Sequence, residues 1–332
     1  MVAMRRSFWL GVCAWLLVMP ARGQSFDTAV AQGERMPRLH SLLVSRHGEL
    51  VLERYFHGTR ATSFANVKSA SKSVISALVG IAIERKLLAG VDAPIAPYFP
   101  ELNAAGVDAR KRKITIEDLL TMRSGLTDTN QAYGAWVRSP NWVHYLLAQS
   151  LQAPPGARMD YNTGNTHLLS AILTKVSGSD TWAFAQKVLA GPLGITMPKW
   201  PQDPQGIYFG GNDMLLTPRQ MLRFGELYLH HGRERASQIV PASWVEESFT
   251  PRTQSRRSGN LYGYGWWIAE MAGLQTAFAW GFGGQYIFVI PSLDAVVVTT
   301  ASENPGNDRR DFRLDLFDMI EEKVIGVMAS HR

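Results

Sequence analysis

Hydrophobic and polar positions change texture twice along the chain. Leu39 to Val44 and Glu49 to Tyr55 are short apolar-rich runs around Arg46-His47-Gly48, a pattern that predicts a β-hairpin. From Ser69 to Leu88 the sequence SASKSVISALVGIAIERKLL is apolar on nearly every face. It predicts a buried helix closed by Gly90 and Pro94. Ile114 to Met122 starts another helix, with Thr115 as N-cap and Asp118 in the capping-box position, and Ser124-Gly125 ends it. Trp142 to Ser150, His167 to Val176 and Asp180 to Leu189 keep the helical texture. Thr217-Pro218 opens an amphipathic helix through Tyr228, with proline at the first position, where its missing N–H costs nothing.

After Gly259 the texture turns to strands. Tyr262 to Ile268, Gln285 to Ile290 and Ala295 to Thr300 are β-branched or aromatic runs, the last two separated by the turn Pro291-Ser292-Leu293-Asp294. A helix from Asp311 to Val327 closes the chain. Strands at both ends with helices between predict an α/β (α+β) fold. Its antiparallel sheet comes from both termini, is flanked by helices and carries an inserted helical domain. The expected α/β part is 24–62 and 225–332, and the helical part 63–224.

The first residues read differently. Arg5 and Arg6 precede an uncharged apolar run from Phe8 to Met19, then Pro20, Ala21, Arg22 and Gly23. This predicts a secretory signal peptide over 1–23, cut near Gly23–Gln24. A membrane anchor is the alternative, but about a dozen apolar residues fall short of the roughly 20 that a span needs. Arg5-Arg6-Ser7-Phe8 partly resembles a twin-arginine signal, and Leu10-Gly11-Val12-Cys13 faintly resembles a lipoprotein box. The expectation is an exported, periplasmic or secreted protein with no stable membrane anchor after cleavage.

That expectation changes the composition. The whole chain has 332 residues, a net charge of +6 and one cysteine, Cys13. Without Arg5, Arg6 and Arg22, 31 cations face 28 acids, and no cysteine remains. The basicity is then largely an export address, and no nucleic-acid partner is expected. The eight His are scattered, and the adjacent pair His230-His231 reads as a solvated helix end, so neither a metal nor a cofactor is expected.

Candidate chemistry starts from one S-x-x-K, Ser69-Ala70-Ser71-Lys72. Composition alone supplies about 0.6 such pairs, so context must carry it. It sits at the start of a buried helix, where positions i and i+3 share a face and the ammonium can meet the hydroxyl. The Ser69 N–H at that helix start is free to hold an oxyanion. The competing assignment is a helix-capping serine with a snorkelling lysine. Further on come Pro155-Gly156, then Tyr161-Asn162-Thr163-Gly164-Asn165, and much later Trp280-Gly281-Phe282-Gly283-Gly284-Gln285, entering a strand that ends at Pro291.

With these motifs in this order, the sequence resembles the serine β-lactamase and penicillin-binding-protein superfamily. It is most similar to the class C-like branch with esterases and 6-aminohexanoate-dimer hydrolases. The resemblance runs from about Leu39 to Val327 and includes Ile114-Thr115-Ile116-Glu117-Asp118-Leu119-Leu120, Ser124-Gly125-Leu126, Gly210-Gly211, Leu216-Thr217-Pro218 and Tyr262-Gly263-Tyr264-Gly265-Trp266-Trp267. It implies a β-lactamase/transpeptidase-like fold, Ser69 as nucleophile, Lys72 as its activating partner and Tyr161 as proton relay, with Ser69 and Phe282 N–H groups as the oxyanion hole. A tyrosine with a pKa of about 10 acts as base only beside a cation, which Lys72 would supply.

Two positions depart from the family pattern. Thr163 stands where the family has Asn, so a hydroxyl or Asn165 must make that contact. Ala279-Trp280-Gly281 stands where the family has Lys-Thr-Gly, and no Lys or Arg occurs between Arg257 and Arg309. The carboxylate anchor of β-lactamases and carboxypeptidases is therefore missing. Trp280, Gly281 and Phe282 are expected to line the substrate pocket; Gln285 is expected either to touch substrate or to brace the strand end. Tyr133, Trp136, Trp142, Tyr208 and Phe209 read one by one as core residues, although together they could line an apolar pocket.

The primary expectation is an exported serine hydrolase acting on a small ester or linear amide. A D,D-peptidase or weak β-lactamase, and a catalytically reduced binding protein of the same fold, are the alternatives.

Overall fold

The computed structural model describes residues 25–304 and 306–330. The expected signal peptide and Cys13 lie outside the described residues. Eight strands form one antiparallel sheet. They are β1 Leu39–Arg46, β2 Glu49–Tyr55, β3 Thr253–Gln254, β4 Leu261–Tyr262, β5 Trp267–Met271, β6 Leu274–Gly281, β7 Gln285–Ile290 and β8 Ala295–Ala301. Their spatial order is β2-β1-β8-β7-β6-β5-β4-β3. The N-terminal hairpin thus joins the last strand, Leu43 facing Val298, and the sheet is built from both termini as the strand runs at each end predict.

Period-two alternation gives each strand two partners. Leu43, Ala277, Ala279, Ile287, Val289, Val296 and Val298 belong to the core shared with the central helices. Those helices include α2 Ser71–Glu84, α3 Ile116–Leu120, α4 Thr163–Ser177 and α5 Pro218–Leu229. Leu42, Val44, Phe278, Tyr286, Phe288 and Val297 lie on the other face. They pack against the N-terminal helix Asp27–Glu34 and the C-terminal α6, Arg309–Ile320. α2 is buried from Ser71 to Ala82 on all sides, so its uniform hydrophobicity reflects enclosure between the sheet and α4. Local signals set helix starts: Thr115–Asp118 and Thr217–Gln220 both form reciprocal capping boxes.

One strand expectation needs correction. Tyr262 to Ile268 is not one strand, because the chain leaves the sheet between β4 and β5. There it hydrogen-bonds α2: Ser73 Oγ donates to the Gly265 carbonyl and Ser76 Oγ to that of Tyr264, each at 2.7 Å. Gly265 has φ +77° and approaches α2 so closely that a Cβ would lie 2.9 Å from the Lys72 carbonyl oxygen. Trp280-Gly281 also ends a strand, β6; Phe282 to Gly284 is the turn of the β6–β7 hairpin, and Gln285 enters the strand that runs to Pro291, as expected. The run Leu274–Gly281 carries Thr276, Phe278 and Trp280 at alternate positions and pairs with a strand on each side.

Candidate active site

Ser69 lies in a 3₁₀ turn, Lys68–Ala70, that leads into α2. Lys68 before it has φ +49°, a left-handed conformation unusual for a side chain of that size. A network holds this turn: Lys68 Nζ meets Asp213 at 3.1 Å and Glu303 at 2.7 Å, and Asn66 donates to Asp213 at 2.8 Å.

One turn on, Lys72 is 1% exposed. Its ammonium has three acceptors, one for each proton: Ser69 Oγ at 3.1 Å, Thr163 Oγ1 at 3.2 Å and the Gly211 carbonyl at 2.7 Å. Gly211 must be glycine here, since a Cβ would stand 2.2 Å from Thr166 Oγ1 and 3.1 Å from Lys72 Nζ. Burial lowers the Lys72 pKa to about 7, against the opposing pull of Asp128 and Asp213. The amine is therefore poised between its charged and neutral forms near neutral pH.

Tyr161 lies just before α4. Burial pushes its phenol well above the ordinary tyrosine value, and a hydrogen bond with Ser69 pulls the other way. Its ring stacks on Trp267 with centroids 5.3 Å apart, and Lys72 Nζ stands 5.1 Å from the ring centroid. In this resting arrangement the phenol keeps its proton.

The structure therefore brings Ser69, Lys72, Tyr161 and Thr163 together. Thr163 Oγ1 accepts from Lys72 and donates to Asn130 Oδ1 at 2.7 Å. Asn130 was not singled out in the sequence; its amide also donates to the Tyr161 carbonyl at 2.8 Å and is exposed at the site. Only its Asp128-Thr129-Asn130 turn composition hinted at a fixed loop.

Other expected site residues sit elsewhere. Asn165 is fully buried and accepts from Ser124 Oγ at 2.8 Å, so Thr163 alone makes the lysine contact. Gln285 is fully buried and clamps Ala301, donating to its carbonyl at 2.6 Å and accepting from its N–H at 3.2 Å. Of the two roles expected for Gln285, the strand-end brace is the one it fills. The Trp280 side chain lies on the sheet face packed by α6, near Trp267, Tyr286 and Phe317, because alternation turns it away from Ala279. It does not line the Ser69 side. Gly281 does reach that side: a Cβ there would meet the Val67 carbonyl at 2.2 Å, so the strand end runs against the turn carrying Ser69. Phe282 follows at the hairpin tip with its ring 40% exposed. Trp136, Trp142, Tyr208 and Phe209 are core residues. Three of them surround His167, whose Nε2 meets Asp203 Oδ2 at 3.0 Å in a buried pair that anchors α4.

Residues 32–317 match the model of the Beta-lactamase family. The chain belongs to that family. It is a serine hydrolase with the β-lactamase and penicillin-binding-protein fold. This β-lactamase-family chain is 23% identical to the 6-aminohexanoate-dimer hydrolase of Paenarthrobacter ureafaciens over 292 residues, covering 79% of the chain and 72% of that relative. A penicillin-binding protein from Bacillus halodurans superposes with TM-score 0.68 at 16% identity, covering 91% of this chain and 99% of that one. EstCE1, described as a hydrolase with promiscuous acyltransferase activity, gives TM-score 0.68 at 20% identity, covering 89% and 96%.

Proposed function

We propose that the chain is an exported hydrolase that cleaves a small ester or linear amide through an acyl-Ser69 intermediate. The observation that carries this reading is a buried amine with its pKa lowered to about 7, in contact with one serine hydroxyl. A base with a pKa near the working pH combines a large neutral fraction with a useful driving force for proton uptake.

The steps follow from the resting protonation states. Neutral Lys72 takes the Ser69 proton as Oγ attacks the carbonyl carbon. The Ser69 and Phe282 N–H groups hold the oxyanion, each contributing a few kcal/mol. Tyr161 then gives its proton to the departing alkoxide or amine. The phenolate forms only now, when Lys72 is an ammonium beside it, which resolves why a buried tyrosine can act as base. It takes a proton from water, water oxygen attacks the acyl carbon, and Ser69 leaves with the proton from Lys72. The acid product departs and all three groups return to their starting states.

The names of its relatives, a hydrolase of an aminohexanoate dimer and one with acyl-transfer activity, fall within this range of linear amides and esters. Against the D,D-peptidase and β-lactamase alternatives stands Ala279, an uncharged, buried side chain at the position of the family's lysine. The test is intact mass after exposure to a fluorophosphonate, p-nitrophenyl butyrate and a penicillin, with Ser69→Ala as control. A fluorophosphonate adduct on the wild type and none on the variant is expected. A stable penicilloyl adduct would favour the cell-wall alternative, and no adduct from any probe would favour a binding protein.

A further inference from the structure

A second group of cations stands at the tip of the β6–β7 hairpin. There a cavity of about 310 Å³ opens between Phe282–Gly284 and the start of α6, with Trp280 and Phe282 as aromatic walls. Arg38, Arg309, Arg310 and Arg313 line it. The Arg38 charge is committed to Asp308 at 3.1 Å. Among the described residues, Arg309, Arg310 and Arg313 make no ion pair with a carboxylate. Two of them are held by rings instead: the Arg309 guanidinium lies 5.3 Å from the Phe282 centroid and that of Arg313 lies 5.6 Å from Trp280. Stacking fixes a guanidinium plane and leaves its N–H edges free, the geometry that takes a carboxylate through two parallel hydrogen bonds. The α6 helix dipole adds positive potential at the same end.

None of these groups belongs to the Ser69 cluster. Trp280 faces away from Ala279, so this cavity is not the place where a lysine at position 279 would have pointed. Phe282 joins the two: its side chain walls the cavity, and its N–H faces the oxyanion in the proposed reaction. A neutral, water-exposed set of side chains would close a hairpin tip equally well. Among the described residues no carboxylate lines the cavity, and Asp311 and Asp315 of α6 make no ion pair with these arginines, so a bound anion would meet three like charges there.

We propose that this cavity is a carboxylate-binding site. Its occupant is either the acid arm of a substrate acylating Ser69 or a free small carboxylate. The first source rests on the hydrolase reading, and the second does not.

The experiment uses the full mature chain at low ionic strength, as wild type, Arg309→Gln/Arg313→Gln and Arg310→Gln, the last stacked on no ring. Thermal unfolding checks that each variant folds. One arm titrates glutarate into Ser69→Ala protein with and without the arginine changes. The other measures kcat/KM for mono-p-nitrophenyl glutarate and 4-butyryloxybenzoate, each relative to p-nitrophenyl butyrate. Arg235→Gln, an exposed arginine away from the cavity, is the charge control.

At least a tenfold weakening of glutarate binding in the double variant supports the site. So does at least a tenfold fall in the acidic-to-neutral ratio for either acidic ester, and that result assigns the site to substrate. Weaker glutarate binding with an unchanged ratio assigns it to a free carboxylate. If neither binding nor ratio depends on the arginines beyond the Arg235→Gln effect, the proposal is overturned. If wild type cleaves no ester, the hydrolase reading fails while the glutarate arm still decides the cavity.

Discussion

Lys72 and the arginines around Phe282 are two solutions to placing positive charge near one strand end. Lys72 is enclosed, its three protons are all committed, and burial has drawn its pKa down to about 7. The arginines are exposed at a cavity mouth and hold free N–H edges. A buried amine can exchange a proton with a hydroxyl, and an exposed guanidinium can only attract and orient. The contrast separates chemistry from recognition: side-chain type and solvent exposure, rather than the number of positive charges, decide which task a group can perform.

Removing the enclosed cation should hurt most. Lys72→Met is expected to lower kcat/KM for p-nitrophenyl butyrate by at least about a thousandfold. A loss under tenfold would mean that another base serves Ser69. Tyr161→Phe should follow with at least about a hundredfold loss of turnover, read by the same assay. Wild-type turnover in the variant would remove the phenol from the relay.

The pH profile sharpens the comparison. Because acylation needs the neutral amine and burial lowers its pKa, kcat/KM should climb about tenfold per pH unit below about 7 and level off above it. In the arginine variants that limb should stay at the same pH, since the arginines make no contact with the Lys72 amine. A limb displaced by a full unit in those variants would couple the two regions. The smallest expected effect is at Gln285. Gln285→Ala should cost about 1–3 kcal/mol of stability by unpairing the Ala301 backbone groups, with KM within about twofold. A tenfold rise in KM without loss of stability would return it to the substrate.

How much of this was legible in the sequence follows from what each residue depends on. The Thr115–Asp118 capping box, the Thr217-Pro218 helix start, the buried helix α2 and a sheet made from both ends rest on local composition and period, and could be read directly. The Ser69–Lys72 contact follows from helical spacing once the helix is placed. Trp280 could not be read, because the face it takes depends on the register of β6 against its neighbours, which the strand's own alternation does not fix. Asn130 reaches Thr163 from a loop 33 residues away, a distance that no spacing rule encodes. The arginine cavity needs the hairpin tip and α6 to meet, and only the folded chain brings Phe282 under Arg309.

The central claim is that Ser69 carries the acyl group. Mixing the protein with p-nitrophenyl butyrate and following p-nitrophenol on the millisecond scale, then quenching and mapping peptides, tests it most directly. The account predicts a burst of about one equivalent and a butyryl group on the peptide containing Ser69, both absent in Ser69→Ala. Turnover that persists in Ser69→Ala, or a butyryl group on another residue, would contradict it.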